Sequence, residues 1–223
     1  MSDRRASFYF DLSSPPAYLA AERVLHVLPR PAEWRPVLAR ELPGGDSLGA
    51  FRCAEEADVF RAEMARRASE LALLPVRWPE PFPFDSALAM RVATYAKSIG
   101  RAVAFAQAAF RQAFAAGRSL EEADNVLIAA AACEMHPDAV LAASELRAVA
   151  RELARCTAGA AEAGVLEVPA VTVDERVFLG ERALEEAGEY MAGTQPTESE
   201  TDTVRTHAAE SDGPQTTTPS AGK

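Results

Sequence analysis

Little in this 223-residue chain suits redox or metal chemistry. It has three cysteines, Cys53, Cys133 and Cys156, too far apart in sequence to form a Cys-x-x-Cys pair. That removes both a dithiol redox motif and a zinc ribbon. In a reducing compartment such scattered thiols read as free and buried. The three histidines, His26, His136 and His207, show no metal-ligand spacing, so no metal is expected. Cationic side chains are also scarce: 23 Lys and Arg against 33 Asp and Glu give a formal charge of −10. That balance argues against nucleic-acid or anionic-membrane partners, which are held by clustered cations. No apolar run reaches bilayer-spanning length. The first residues, Met1-Ser2-Asp3-Arg4-Arg5, lack the apolar stretch and small-residue site of a secretory leader. A cytoplasmic location is therefore expected.

What is present is a strand-to-helix junction, Asp11-Leu12-Ser13-Ser14-Pro15-Pro16-Ala17-Tyr18-Leu19. The apolar aromatic run Ala6–Phe10 before it suits a buried strand. Ala20, Val24, Val27 and Leu28 after it follow helical spacing, which predicts a helix over 16–29. A Ser-Pro pair at such a corner sets a hydroxyl beside the positive end of a helix dipole, where an anion or thiolate is stabilised. A second strand is read at 33–39, punctuated by Pro36, followed by a turn at Pro43-Gly44-Gly45.

Residues 47–165 are almost wholly helical in pattern. Ala57, Phe60, Met64 and Leu71 share a stripe; a Pro-rich loop over 75–83 with Trp78, Phe82 and Phe84 follows. These rings either line a cleft or pack the loop onto the core. Helical spacing resumes over 86–116, divided at Gly100. Ser119-Leu120-Glu121-Glu122 reads as a capping box starting a helix with the stripe Leu120, Ala123, Leu127, Ile128 and Ala131. Another helix begins near Ser144 with Leu146, Val149, Ala150 and Leu153. Strands return at 168–173 and 176–179, joined by Asp174-Glu175, and a last helix covers 181–191. From Thr194 the composition offers almost nothing to bury, so the tail is expected to be disordered.

The order β-α-β, helical insert, then α-β-β-α describes an α/β thioredoxin-like fold. A helical domain separates the N-terminal βαβ unit from the C-terminal ββα unit. The expected divisions are 1–45, 46–160, 161–193 and a tail at 194–223.

Three segments are similar to the branch of the DsbA-like family without redox cysteines, the 2-hydroxychromene-2-carboxylate isomerases and kappa-class glutathione transferases. They are Phe8-Tyr9-Phe10-Asp11 with Ser14-Pro15-Pro16-Ala17-Tyr18-Leu19; Phe82-Pro83-Phe84-Asp85-Ser86; and Gly164–Pro169 continuing to Phe178-Leu179-Gly180-Glu181. The resemblance covers about residues 5–192. It implies a glutathione-dependent isomerase or transferase acting on an aromatic or otherwise electrophilic small molecule. Ser14 would be the catalytic hydroxyl, favouring a bound thiolate by donating a hydrogen bond. Val168 with a cis Pro169 would pair with the glutathione backbone, and Gly180 with Glu181 would hold its γ-glutamyl end. The partner implied is a small molecule, and a homodimer is compatible with the resemblance.

This chain departs from the family pattern at several positions. Pro16 stands where the family has an aromatic residue, Arg182 where it has Asp, Ala183 where it has Arg, and Asp85 where it has Asn. Pro15 is read as the N-cap with Pro16 at the first helical position, turning Ser14 aside. Bland readings stand beside the sharp ones: Ser14 as a structural N-cap, Asp11 as a carboxylate serving backbone N–H groups, Glu181 and Arg182 as solvated first-turn residues. Two alternative functions also follow: a DsbA-family thiol oxidoreductase relative using another low-molecular-weight thiol, or a non-catalytic binding module. An anionic head group would suit Arg182 better than an amine does.

Overall fold

Alternation along the first strand decides which surfaces can bury it. Phe8 and Phe10 point to one side and Tyr9 to the other, and all three are buried. β1 (Ala6–Phe10) must therefore lie inside a sheet covered on both faces. The computed structural model describes residues 5–45, 51, 53–180 and 182–193. In it, β1 pairs in parallel with β2 (Glu33–Pro36) and antiparallel with β3 (Ala170–Val173), which pairs antiparallel with β4 (Arg176–Leu179). The strand order is β2-β1-β3-β4, that of a thioredoxin-like sheet.

One face carries Phe8, Phe10, Trp34, Val171 and Val173 in the larger core; Phe8 and Trp34 meet edge to face at 5.0 Å. The other face, with Tyr9, Val37 and Ala170, packs with Ala160 of α8 (Arg147–Glu162). α9 (Ala183–Ala192) packs on β3 and β4.

The helix predicted over 16–29 is two helices, α1 (Pro15–Ala21) and α2 (Val24–Val27). At the break the Glu22 carboxylate accepts two hydrogen bonds from Arg111, at 2.8 and 2.7 Å, and Arg23 pairs with Glu185. Tertiary partners thus take both side chains where local periodicity alone would continue the helix. The second strand is shorter than expected, since a 3-10 turn at Ala39–Glu41 follows it.

The inserted helices are α3 (Ala54–Glu70), α4 (Ala87–Ser98), α5 (Ala102–Phe114), α6 (Ala123–Ala131) and α7 (Pro137–Ser144). Gly100, at φ +74°, divides α4 from α5 as expected. The capping box does not form. Ser119 Oγ accepts from Glu121 N–H at 3.3 Å, a local turn two residues on, and Asn125 Nδ2 donates to the Ser119 carbonyl at 2.8 Å. The short polar side chains favour the turn over the cap, so α6 begins only at Ala123. Its buried face is Val126, Ala129 and Ala130, with Ile128 exposed. Likewise α8 starts at Arg147 after an exposed Leu146, and it buries Leu153, Thr157 and Ala160. The tail expected to be disordered lies outside the described residues.

Candidate active site

At the end of β1 the carboxylate and both hydroxyls of the turn are hydrogen-bonded. Asp11 is buried, and its Oδ1 accepts from Ser13 N–H and Ser13 Oγ–H, both at 2.9 Å. Its Oδ2 accepts from Ala39 N–H at 2.8 Å, so the carboxylate serves backbone donors and ties the corner to the 3-10 turn.

Ser14 is the N-cap of α1, at φ −95° and ψ 111°, with its Oγ accepting from Ala17 N–H at 3.2 Å. The expectation that Pro15 would cap the helix is corrected: Pro15 and Pro16 are its first two residues. Proline is well suited there because its fixed φ is helical and the missing N–H would have had no intrahelical partner. The chemical consequence is large. Of the four N–H groups that a helix start normally leaves open, Ser14's goes to the Asp11 carbonyl at 3.1 Å. Two are absent with the prolines, and Ala17's is taken by Ser14 Oγ. The start of α1 therefore offers no free amide to a thiolate.

The Ser14 hydroxyl is completely buried and donates toward the Val168 carbonyl at 3.5 Å, longer than an ordinary O–H···O bond. This contact joins the helix corner to the second half of the site. The Val168–Pro169 peptide bond is cis. Val168 lies two residues before Ala170, where the β1–β3 ladder ends, so its backbone is not part of that ladder.

Val168, Pro169 and Gly180 share the wall of one cavity of about 270 Å³ with Pro16. Ser14 lies beneath this wall and does not line it. Glu181 lies outside the described residues, and Arg182 is an exposed side chain 4.0 Å from Glu186.

The α3 part of the opposite wall, Phe60, Glu63, Met64 and Arg67, was not singled out as a site from the sequence; Phe82, one of the rings read as lining a cleft or packing the loop onto the core, stands in that wall with Phe51. α3 buries only Met64 and Ala68, so most of its apolar stripe is free to face a cavity. The Phe60 and Met64 spacing was the available signal, but periodicity does not say whether a stripe meets core or ligand. Glu63 pairs with Arg66 at 2.5 Å, and hydrogen bonding from Arg66 holds its carboxyl below the usual range. Arg67 also borders a small adjoining cleft with Arg23, Pro169 and Gly180. Gly44 and Gly45 complete the rim: Gly44 N–H donates to the Leu166 carbonyl at 2.8 Å. A Cβ on Gly44 would sit 2.8 Å from that same oxygen, and one on Gly45 2.0 Å from the Ala39 carbonyl. Only glycine permits this approach.

None of the cysteines lines this cavity. Cys53 is exposed, Cys133 buried and Cys156 partly buried, and burial pushes the Cys133 and Cys156 thiols up. Titration of the native protein with an aromatic disulfide reagent at pH 8 is expected to modify Cys53 within minutes. The other two thiols should react only on denaturation; rapid modification of all three would contradict the burial. Among the described residues, no group of three or more His, Cys, Asp or Glu could hold a metal. None of their helices is long and apolar enough to cross a membrane.

Sheet order, inserted helices and the cis-proline wall define a thioredoxin-like domain with a helical insert. The family model of the DSBA-like thioredoxin domain matches residues 6–192, and the chain belongs to that family. No curated protein matches it. A solved 2-hydroxychromene-2-carboxylate isomerase is similar in structure at TM-score 0.73 and 16% identity, over 84% of this chain and 94% of that one. A probable DsbA oxidoreductase from Streptomyces coelicolor is similar at TM-score 0.72 and 18% identity, over 94% and 97%. The cytosolic disulfide reductase DsbM from Pseudomonas aeruginosa, solved with glutathione, is similar at 0.58 and 15% identity, over 85% and 96%. At these identities the likeness speaks for the fold.

Proposed function

We propose that this protein binds a low-molecular-weight thiol, glutathione first, along Val168–Pro169 and uses it to isomerise or conjugate an aromatic or electrophilic small molecule. The observation carrying this reading is the Val168–Pro169 segment, which lies outside the β1–β3 ladder at the wall of an apolar cavity. Extended backbone left unpaired at a sheet margin can pair with a ligand's peptide groups. The isomerase and glutathione-bound disulfide reductase among the structural relatives support an enzyme of this kind, and the cytosolic reductase supports a cytoplasmic setting.

In the proposed chemistry the thiolate adds to an electron-poor carbon, forming a C–S bond, and the neighbouring carbon takes a proton. Breaking that bond again returns the thiol and an isomer; keeping it gives a conjugate. With no open amide at the start of α1, the Ser14 hydroxyl is the donor at this corner. It reaches the sulfur by leaving its long contact with Val168. Gly180 and Glu181 hold the far end of the thiol in this reading, and Arg67 beside Gly180 favours a carboxylate there.

Isothermal titration with reduced glutathione tests the thiol, and absence of heat at millimolar ligand would remove glutathione. Ser14→Ala is expected to lower stability by about 0.5–2 kcal/mol through loss of the cap and to abolish thiol-dependent turnover. Turnover that survives in the folded variant would reduce Ser14 to a structural cap. A second reading, binding without catalysis, is favoured by the amide-free helix start, and intact thiol binding with no turnover of any electrophile would support it.

A further inference from the structure

The Asp11–Leu12 peptide unit is held on both sides. Its carbonyl accepts the Ser14 N–H at 3.1 Å, closing the turn that leads into α1. Its N–H, that of Leu12, donates to the sulfur of Met90 at 3.2 Å. A trans peptide is a rigid plane whose carbonyl and N–H point opposite ways, so the two bonds share one orientation. Turning the plane to find the N–H another acceptor would swing the carbonyl away from Ser14.

Met90 belongs to α4 of the insert, 78 residues further along the chain. Leu12 and Met90 are both completely buried, so water does not compete for this N–H. A thioether is a weak acceptor, yet a buried amide left with no acceptor is costlier than one weakly paired. Leucine would fill nearly the same space and present no lone pair. The other two N–H groups of the turn stay within it: Ser13 donates to Asp11 Oδ1, and Ser14 to the Asp11 carbonyl. The Leu12 N–H instead ties the turn to the insert, and α4 is itself seated on β2. What reaches Ser14 through this peptide matters at its side chain. Ser14 Oγ stands between the Ala17 N–H at 3.2 Å and the Val168 carbonyl at 3.5 Å. The second contact is long enough that a small tilt of the turn would break it.

We propose that Met90 is a positioning residue: its sulfur fixes the Asp11–Leu12 plane, and through that plane the place of the Ser14 hydroxyl. The consequence for catalysis rests on the thiol reading of the site; the positioning itself does not.

The test compares two variants of the full chain. Met90→Leu keeps the volume and removes the acceptor, so it is expected to fold. Met135→Leu makes the same exchange at a buried methionine between α6 and α7. Hydrogen exchange at the Leu12 and Ser14 amides, taken relative to Phe8 in the middle of β1, is expected to rise roughly fivefold to hundredfold in Met90→Leu, the weight of one buried hydrogen bond. The Ala17 amide resonance, which reads the position of Ser14 Oγ, should shift in the same variant. Met135→Leu should leave all three amides as in the parent. With glutathione bound, the thiolate absorbance should titrate at higher pH in Met90→Leu, and kcat should fall while KM for the electrophile stays unchanged. The hydroxyl is then displaced while the cavity walls are not. Parental exchange at Leu12 or Ser14, an unmoved Ala17 resonance, the same changes in Met135→Leu, or an unaltered thiolate titration would each overturn the proposal. A parent protein that binds no glutathione would count against the thiol reading alone, since the three amides still decide whether Met90 positions Ser14.

Discussion

Phe114→Ala is expected to destabilise the protein by about 3–5 kcal/mol, the range for truncating a fully buried aromatic side chain. For a folded unit of this size that corresponds to a fall in Tm of roughly 10 °C. The Phe114 ring is completely buried. It touches Tyr18 of α1 at 5.7 Å, Trp78 and Phe84 at 6.4 Å, and Phe82 at 6.3 Å between centroids. Its carbonyl accepts Arg77 N–H at 2.7 Å. One side chain thus joins the first helix of the thioredoxin-like part to the proline-rich loop that carries Phe82 to the wall of the cavity. Removing it opens a void that four rings cannot all close, so the Phe82 wall should loosen along with the global loss. Chemical denaturation measures the first effect, and glutathione titration of the folded variant measures the second. A loss below about 1 kcal/mol would mean that the neighbouring rings repack freely.

The same contacts show which parts of the molecule can be read from its sequence. Phe8, Tyr9 and Phe10 announce a buried strand because a short continuous apolar aromatic run is a local property. Gly100 announces a helix break because only a positive φ is at issue. The cis state of Pro169 was expected from the fold resemblance, and the bond is cis. Ser119 misled because a hydroxyl can serve either a cap or a tight turn, and the choice depends on Asn125 six residues later. Pro15 misled similarly. Its avoidance of the α region concerns the residue before a proline, yet both prolines fit the first turn once Ser14 takes the extended cap. The cavity wall on α3 was legible as a stripe but not as a site, since what a stripe faces is settled by tertiary packing. The 3-10 turn at Ala39 depends on Asp11, 28 residues away, and the Gly44 contact on Leu166, more than a hundred residues away.

Asp11→Asn is expected to be nearly as damaging as Asp11→Ala, although it preserves shape and removes only charge. The carboxylate meets backbone N–H donors at both oxygens, from Ser13 and Ala39, with the Ser13 hydroxyl as a third donor. A carboxamide has one oxygen, so whichever way it turns, its NH₂ faces a backbone N–H. The Ser13 hydroxyl can rotate to accept, but an amide N–H cannot. Each variant therefore leaves at least one buried donor unsatisfied, at about 1–3 kcal/mol for each such group. Loss of a charge-assisted bond adds to this in both variants. If the Ala39 bond is the one lost, the 3-10 turn detaches from the end of β1, and Ala39 and Gly45 of the cavity wall detach with it. Hydrogen exchange at the Ala39 amide then rises in Asp11→Asn ahead of global unfolding, and thiol binding weakens with it. An asparagine variant as stable as the parent would show that the corner's donors find other acceptors, and that neither the charge nor the second oxygen of Asp11 holds the corner together.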